Sequence, residues 1–190
     1  MSYRVFTAFD LSTEVIQNIA GFREKIRKQS SSVLRWTKTE QLHITLKFVG
    51  ELKEHDLKPI QEKLQEALAV TKKFPLEYSG SGIFPGEKNP RILWIGMQPS
   101  NDLLAVSKQN EAIFQAYGYP PERRSFQAHI TIGRFRDHAT CAELDQFLSD
   151  WNKQKESFQA RQMIDHLTFY KSTLTPQGPI YSVITKVAFS

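Results

Sequence analysis

A chain of 190 residues, 40% hydrophobic and 24% charged, has the make-up of a globular domain that can bury a core without metal or disulfide help. Its single cysteine, Cys141, excludes an internal disulfide and suits a reducing compartment. The net charge of +5 favours a polyanionic partner only mildly. No long apolar stretch marks a signal peptide or membrane span, so the expected location is the cytoplasm.

Tyr3 to Phe9 alternates and is rich in β-formers, which predicts a strand. Asp10, Ser12 and Thr13 offer N-cap side chains to a helix whose apolar residues are Val15, Ile16, Ile19, Phe22 and Ile26. The basic cluster Arg23 to Lys28 reads as a solvated helix face, and Gln29 to Ser32 breaks the helix. Val33 to Thr37 predicts a short strand. Its Trp36 suits either the core or a site edge where a nucleobase stacks. Gln41 to Val49 predicts a strand ended by Gly50-Glu51. A helix follows with Leu57, Ile60, Leu64, Ala67 and Leu68 on one face, and Pro59 is placed in its first turn. Strands are expected over Phe74 to Ile83 and Arg91 to Met97, around turn residues Pro85 to Pro90.

Asn101 to Tyr117 has helical spacing, with Gly118 as its stop and Pro120 to Arg124 as a loop. Phe126 to Phe135 predicts another strand. Thr140 and Glu143 form a capping box for a helix carrying Leu144, Phe147, Leu148 and Trp151. Two strands close the chain, Met163 to Ser172 and Ile180 to Phe189, joined by the turn Pro176 to Pro179. There is no dinucleotide fingerprint and no Gly-rich phosphate loop. The expected class is α+β: two antiparallel sheets with helices outside.

One pattern occurs twice, as Leu42-His43-Ile44-Thr45-Leu46 and as Ala128-His129-Ile130-Thr131-Ile132. On a strand, residues two apart share a face. His43 and Thr45 therefore look one way and the isoleucine between them the other, and the same holds for His129 and Thr131. Chance placement yields about 0.3 His-x-Thr triplets in a chain of this make-up; here they begin at His43, His129 and His166. The matched pair points to a duplicated unit that supplies one histidine from each copy. Paired histidines are what acid–base chemistry near neutral pH requires.

With these motifs the chain resembles the 2H phosphoesterases, and within them the RNA 2′,3′-cyclic phosphodiesterases also described as 2′-5′ RNA ligases. The resemblance rests further on Arg4 to Phe9, on Arg35-Trp36, on the run from Lys47 to Glu51 and on Gly133-Arg134. Lys171-Ser172-x-Leu174 and Gly178-Pro179-x-Tyr181 carry it to the end of the chain. It implies a single bilobal domain over residues 1–190, a two-lobed duplicated unit with two antiparallel sheets facing a central cleft. It also implies His43 as proton donor and His129 as proton acceptor. Arg134 matches an arginine that contacts phosphate in the family, but strict alternation sets it on the strand face opposite His129. A strand bend near Gly133 would be needed to bring it round.

The chemistry expected is in-line attack of water on the phosphorus of a 2′,3′-cyclic phosphate. One histidine accepts the water's proton and the other protonates the leaving ribose oxygen. The Thr45 and Thr131 hydroxyls can donate to the non-bridging oxygens. Such a site needs no metal, and the chain shows no ligand spacing for one, so no cofactor is expected. The substrate-binding candidates are Thr45, Thr131, Arg134 and Trp36. The expected partners are RNA with 2′,3′-cyclic phosphate termini or cyclic nucleotides, acted on by a monomer. Two other readings stand beside this one: 2′-5′ ligation or 2′-5′ phosphodiester cleavage, and a non-catalytic RNA-end binding module. His166 is read as part of a structural strand, and His55 and His138 as surface residues.

Overall fold

The computed structural model describes residues 1–26, 32–98, 100–122 and 125–190. The expected helix break at Gln29 to Ser31, the basic residues Arg27 and Lys28, and the Arg123-Arg124 pair lie outside the described residues.

Among the described residues, nine strands and four α-helices follow one another along the chain. They are β1 (Ser2–Asp10), α1 (Thr13–Lys25), β2 (Leu34–Trp36), β3 (His43–Lys53), α2 (Glu54–Leu68), β4 (Phe74–Phe84), β5 (Ile92–Met97), α3 (Asn101–Ala116), β6 (Ile130–Phe135), α4 (Cys141–Gln154), β7 (Gln159–Ile164), β8 (His166–Thr175) and β9 (Gly178–Ala188). All strand pairs are antiparallel, in the order β7-β4-β5-β6-β3-β1-β8-β9, with β2 on the free edge of β6. The α+β class is as expected. The two expected sheets are two halves, β7-β4-β5-β6 and β3-β1-β8-β9, joined through one residue pair, Ile44↔Ile130.

The duplication is interlocked. Strand, helix, motif strand and helix recur as β1-α1-β3-α2 and β5-α3-β6-α4. In each copy the first helix crosses over: α1 packs against β7 of the other half, and α3 packs against β3. The second helix stays with its own half. Phe147 of α4 meets Phe135 of β6, and α2 packs on β3 and β9. The core lies between sheet and helices. Val5, Phe9, Ile44, Leu93, Ile95, Ile130 and Ile132 fill it from the strands, and Val15, Ile19, Ile60, Leu64, Val106, Phe114 and Phe147 from the helices.

Local chemistry sets the ends of these elements. Ser12 caps α1 by accepting from the Val15 N–H, Ser100 caps α3, and Thr140 with Glu143 closes the predicted capping box on α4. Gly118, at φ +83°, follows the end of α3.

Several boundaries differ from the sequence reading. α2 starts at Glu54, so Pro59 lies in its second turn and removes the bond to the His55 carbonyl; His55 is exposed, so water can meet that oxygen. β3 does not stop at Gly50. Val49 is an extra residue opposite β1, and Gly50 takes φ +78° so that pairing resumes through Lys53. The run Met163 to Ser172 is two strands, because Asp165 carries the chain from β4's neighbour β7 to β1's neighbour β8. The second motif strand begins at Ile130, four residues later than expected.

Two polar groups, Lys47 buried and Asp10 half-buried, tie neighbouring elements together. Lys47 is 2% exposed, and its ammonium reaches the Glu111 carboxylate of α3 at 2.5 Å and the Pro120 carbonyl at 2.9 Å. Asp10 gathers four donors from β8 and β9: His166 Nε2, Thr168 Oγ1, Tyr170 OH and Lys186 Nζ. Burial opposes ionisation of Asp10, but those donors outweigh it and hold the carboxyl well below its usual range. Asp10 in turn raises the pKa of His166; burial acts against this, and Asp165 adds to it.

Lys47→Met should cost about 3–5 kcal/mol in urea unfolding, because it strands the Glu111 carboxylate; adding Glu111→Leu should recover most of it. An unchanged midpoint for the single variant would contradict this. The Asp10–His166 pair also predicts a pH signature. The raised His166 stabilises fully below pH 6.5, and that share is lost as pH climbs through its folded value. The lowered Asp10 stabilises above pH 3.8, and its share is lost as pH falls toward its folded value. Asp10→Asn should flatten both slopes in a stability–pH series; parallel curves for variant and wild type would refute the coupling.

Candidate active site

β3 and β6 bring the two motifs to one place. The Ile44↔Ile130 pair is antiparallel, and both side chains are fully buried against the helices. Their neighbours therefore point away from the core. Extending the register sets His43 across from Thr131 and Thr45 across from His129, all four on one face. His43 and His129 are diagonal neighbours, which in a regular ladder stand about 7–8 Å apart. His129 is close enough for its charge to disfavour protonation of His43.

Each ring is fixed in the same way. His43 Nδ1 lies 2.8 Å from the Gln41 carbonyl, and His129 Nδ1 lies 2.8 Å from the Gln127 carbonyl. A carbonyl only accepts, so Nδ1 carries a proton in both rings and Nε2 is turned to the shared face. The local pattern is thus Gln-x-His-Ile-Thr in both copies, a signal visible in the sequence that the His-x-Thr reading leaves out.

Beyond Nδ1 the two half-sites differ. His43 Nε2 is 2.9 Å from Thr45 Oγ1, and the ring packs against Phe6 and Tyr181, with centroids at 4.9 and 5.4 Å. Burial pushes its pKa down, and the charge of Asp10, its register partner on β1, pushes it back up. His129 Nε2 has no hydrogen-bond partner among the described residues. Its ring meets the edge of Phe84 at 5.1 Å, and Phe84 stacks on Trp94 at 4.9 Å. Trp94 lies beside Thr131, with its indole flat on Gly82, where a Cβ would come within 2.1 Å of the ring.

Both motif strands carry a bulge just after the threonine. Thr131 faces Trp94 and Gly133 faces Leu93, so Ile132 is an extra residue on β6. Thr45 faces Ala8 and Lys47 faces Thr7, so Leu46 is the extra residue on β3. A bulge resets the alternation. Arg134 therefore returns to the face of His129 and Thr131, where its charge is felt at the Tyr181 hydroxyl. The bend needed near Gly133 is this bulge. Its carbonyl, that of Ile132, accepts from the Thr37 N–H and from Arg23 Nη2 at 3.1 Å. Arg23 thus leaves the solvated helix face expected for it, and burial lowers its pKa to about 10.

Trp36 does not join the histidines. It pairs with Gly133, packs against the core and carries the Arg23 guanidinium over its ring at 5.3 Å, on the helix side of β6. The third His-x-Thr triplet, at His166, engages Asp10 and Asp165 and not the histidine pair. His55 and His138 are exposed. None of the helices among the described residues is long and apolar enough to cross a membrane.

The chain is similar to known proteins over its length. The model of the 2′-5′ RNA ligase superfamily matches residues 14–175. An RNA 2′,3′-cyclic phosphodiesterase of Methanocaldococcus jannaschii is 33% identical, with 95% of this chain and 98% of that protein covered. One of Thermotoga maritima is 29% identical, covering 98% and 95%. Among solved structures, Escherichia coli LigT in complex with 3′-AMP superposes with a TM-score of 0.80 at 22% identity, covering 100% of this chain and 99% of that one. On the family match and the full-length identity, the chain belongs to the 2′-5′ RNA ligase superfamily, the 2H phosphoesterases.

Proposed function

We propose that this protein opens the 2′,3′-cyclic phosphate ends of RNA to 2′-phosphomonoesters, with residues 1–190 acting as one bilobal unit in the cytoplasm. The observation that carries the reading is the pair of matched histidines on one face, each with Nδ1 tied back and Nε2 presented. The relatives named as RNA 2′,3′-cyclic phosphodiesterases support the substrate, and the single free thiol, Cys141, fits a reducing compartment.

In this mechanism His129 Nε2, which has no hydrogen-bond partner among the described residues, accepts a proton from water as the water oxygen attacks phosphorus in line. The bond from phosphorus to the ribose 3′-oxygen breaks. His43 Nε2–H delivers its proton to that oxygen, and the phosphate stays on the 2′-oxygen. Thr45 holds Nε2 until the leaving oxygen takes its place. Thr45, Thr131 and Arg134 donate to the non-bridging oxygens, whose charge grows in the transition state. The half-sites differ: burial lowers the His43 pKa although the Gln41 carbonyl and Asp10 pull the other way, whereas His129 stands against Phe84.

With a 5′-hydroxyl in place of water, the same in-line attack on the cyclic phosphate breaks the bond to the 3′-oxygen and leaves a 2′-5′ linkage, so 2′-5′ ligation draws on the same groups. A binding module would hold the phosphate without turnover.

His43→Ala and His129→Ala should each lower kcat by about 10²–10⁴-fold on a 2′,3′-cyclic phosphate while leaving the melting temperature in place. Near wild-type turnover in either would defeat the mechanism, and tight RNA-end binding without product would establish the binding module. kcat/KM should trace a bell against pH. Because burial lowers His43 from 6.5, the donor is lost, and the rate falls, as pH rises through a value below 6.5. A profile flat from pH 5 to 8 would exclude the pair. Turnover should survive EDTA.

A further inference from the structure

One motif has no part in the two-histidine chemistry: Arg35-Trp36, on β2. β3 meets β6 at a single residue pair and then leaves it. β2 takes the place beside β6, pairing Leu34, Arg35 and Trp36 with Phe135, Arg134 and Gly133. The Thr37 N–H carries the ladder on to the Ile132 carbonyl. Beyond the His43 end of β3, the strand next to β6 is therefore β2.

Alternation divides its three side chains. Leu34 is buried and Trp36 packs against the core, so both look to the helices. Arg35 looks the other way and is exposed. Its register partner is Arg134, which the bulge at Ile132 returns to the open face. Directly opposed residues of an antiparallel ladder hold their Cβ atoms about 4.5–5.5 Å apart. Two guanidinium groups thus start from one spot on the face of the histidines.

That juxtaposition costs stability, because like charges across a ladder repel. No carboxylate relieves it: neither arginine has an ion pair or a hydrogen bond among the described residues. Other arginines of the chain are engaged. Arg91 pairs with Asp137, and Arg23 and Arg136 donate to the Ile132 and Leu34 carbonyls. The segment between β2 and β3 carries one cation and one anion, Lys38 and Glu40, and adds no net charge. Two unrelieved guanidinium forks on an open face match the oxygens of phosphate. The cyclic phosphate engages Arg134 in the mechanism above, which leaves Arg35 for a second phosphate.

The reaction geometry selects which one. The oxygen that leaves is the 3′-oxygen of the terminal nucleoside, and its proton comes from His43. That nucleoside therefore lies on the His43 side of the phosphorus, the side on which β2 stands. Its other phosphate in an RNA chain is at the 5′-oxygen. We propose that Arg35 binds the 5′-phosphate of the terminal nucleotide, so that the preferred substrate is an oligonucleotide end and not a free nucleoside cyclic phosphate; the assignment rests on the cyclic phosphodiesterase reading.

The test compares adenosine 2′,3′-cyclic phosphate with the same compound phosphorylated at its 5′-oxygen. For wild type, KM should be about 10-fold lower for the 5′-phosphorylated compound, the size of one hydrogen bond to a charged group. Arg35→Gln should raise that KM to the value for adenosine 2′,3′-cyclic phosphate, and leave kcat and both constants for the latter unchanged. Arg35→Lys should keep most of the preference, because a phosphate also accepts a point charge. Lys58→Gln removes an exposed charge of α2, lowers the net charge equally and should behave as wild type. Equal KM values in wild type, an equal shift of both substrates in Arg35→Gln, or the same loss of preference in Lys58→Gln would overturn the assignment. Turnover of neither compound would instead overturn the cyclic phosphodiesterase reading. Titration calorimetry of the same two compounds then decides Arg35 alone: a preference for the 5′-phosphorylated compound that Arg35→Gln removes retains the site, and equal affinities reject it.

Discussion

Ile44 and Ile130 form the one backbone pair that joins β3 to β6. Both are fully buried, so neither can rotate to the open face without emptying the core. That constraint sends His43, Thr45, His129 and Thr131 to the opposite side. A slip of one residue in either strand would bury a histidine and expose an isoleucine. The packing behind the pair therefore fixes the chemistry in front of it. The crossed helices extend this coupling, since α1 leaves one half to support the other and α3 returns the favour.

The duplication supplies symmetry, and a few residues break it. Leu46 and Ile132 are matched bulges, and the residues that follow, Lys47 and Gly133, both turn inward. The next position is Phe48 in one copy and Arg134 in the other. At that position one copy places an aromatic ring on the open face and the other a cation. The strand beside β3 carries Ala8 and then Asp10; the strand beside β6 carries Trp94 and then Gly96. One histidine faces a carboxylate across the ladder and packs against Phe6 and Tyr181; the other packs against Phe84. Two chemically identical rings thus meet different surroundings, which is what separate donor and acceptor roles require.

Much of this was legible in the sequence, for identifiable reasons. Period-two alternation and the repeated His-x-Thr placed both motifs on strands with the correct outward face. The caps at Ser12 and Thr140 and the stop at Gly118 act through bonds within a few residues, so the helix ends they mark were readable. What failed depends on distant partners. Alternation alone puts Arg134 on the wrong face, because the bulge at Ile132 is held by Arg23 and by the Thr37 N–H, both remote in sequence. Trp36 reads equally as core or site until Arg23 is seen over its ring. Met163 to Ser172 looks like one strand because nothing local announces that Asp165 changes partners from β4 to β1. The Gln carbonyls that orient the rings were within reach, as Gln-x-His in both motifs.

The central claim is that one histidine activates water on one side of the phosphorus and the other protonates the 3′-oxygen on the far side. The most direct test is phosphorus NMR of the product formed by the purified protein, with EDTA present, from a short RNA ending in a 2′,3′-cyclic phosphate. The account predicts a 2′-phosphomonoester with a free 3′-hydroxyl as the sole product. A 3′-phosphate, or a mixture of the two, would contradict it.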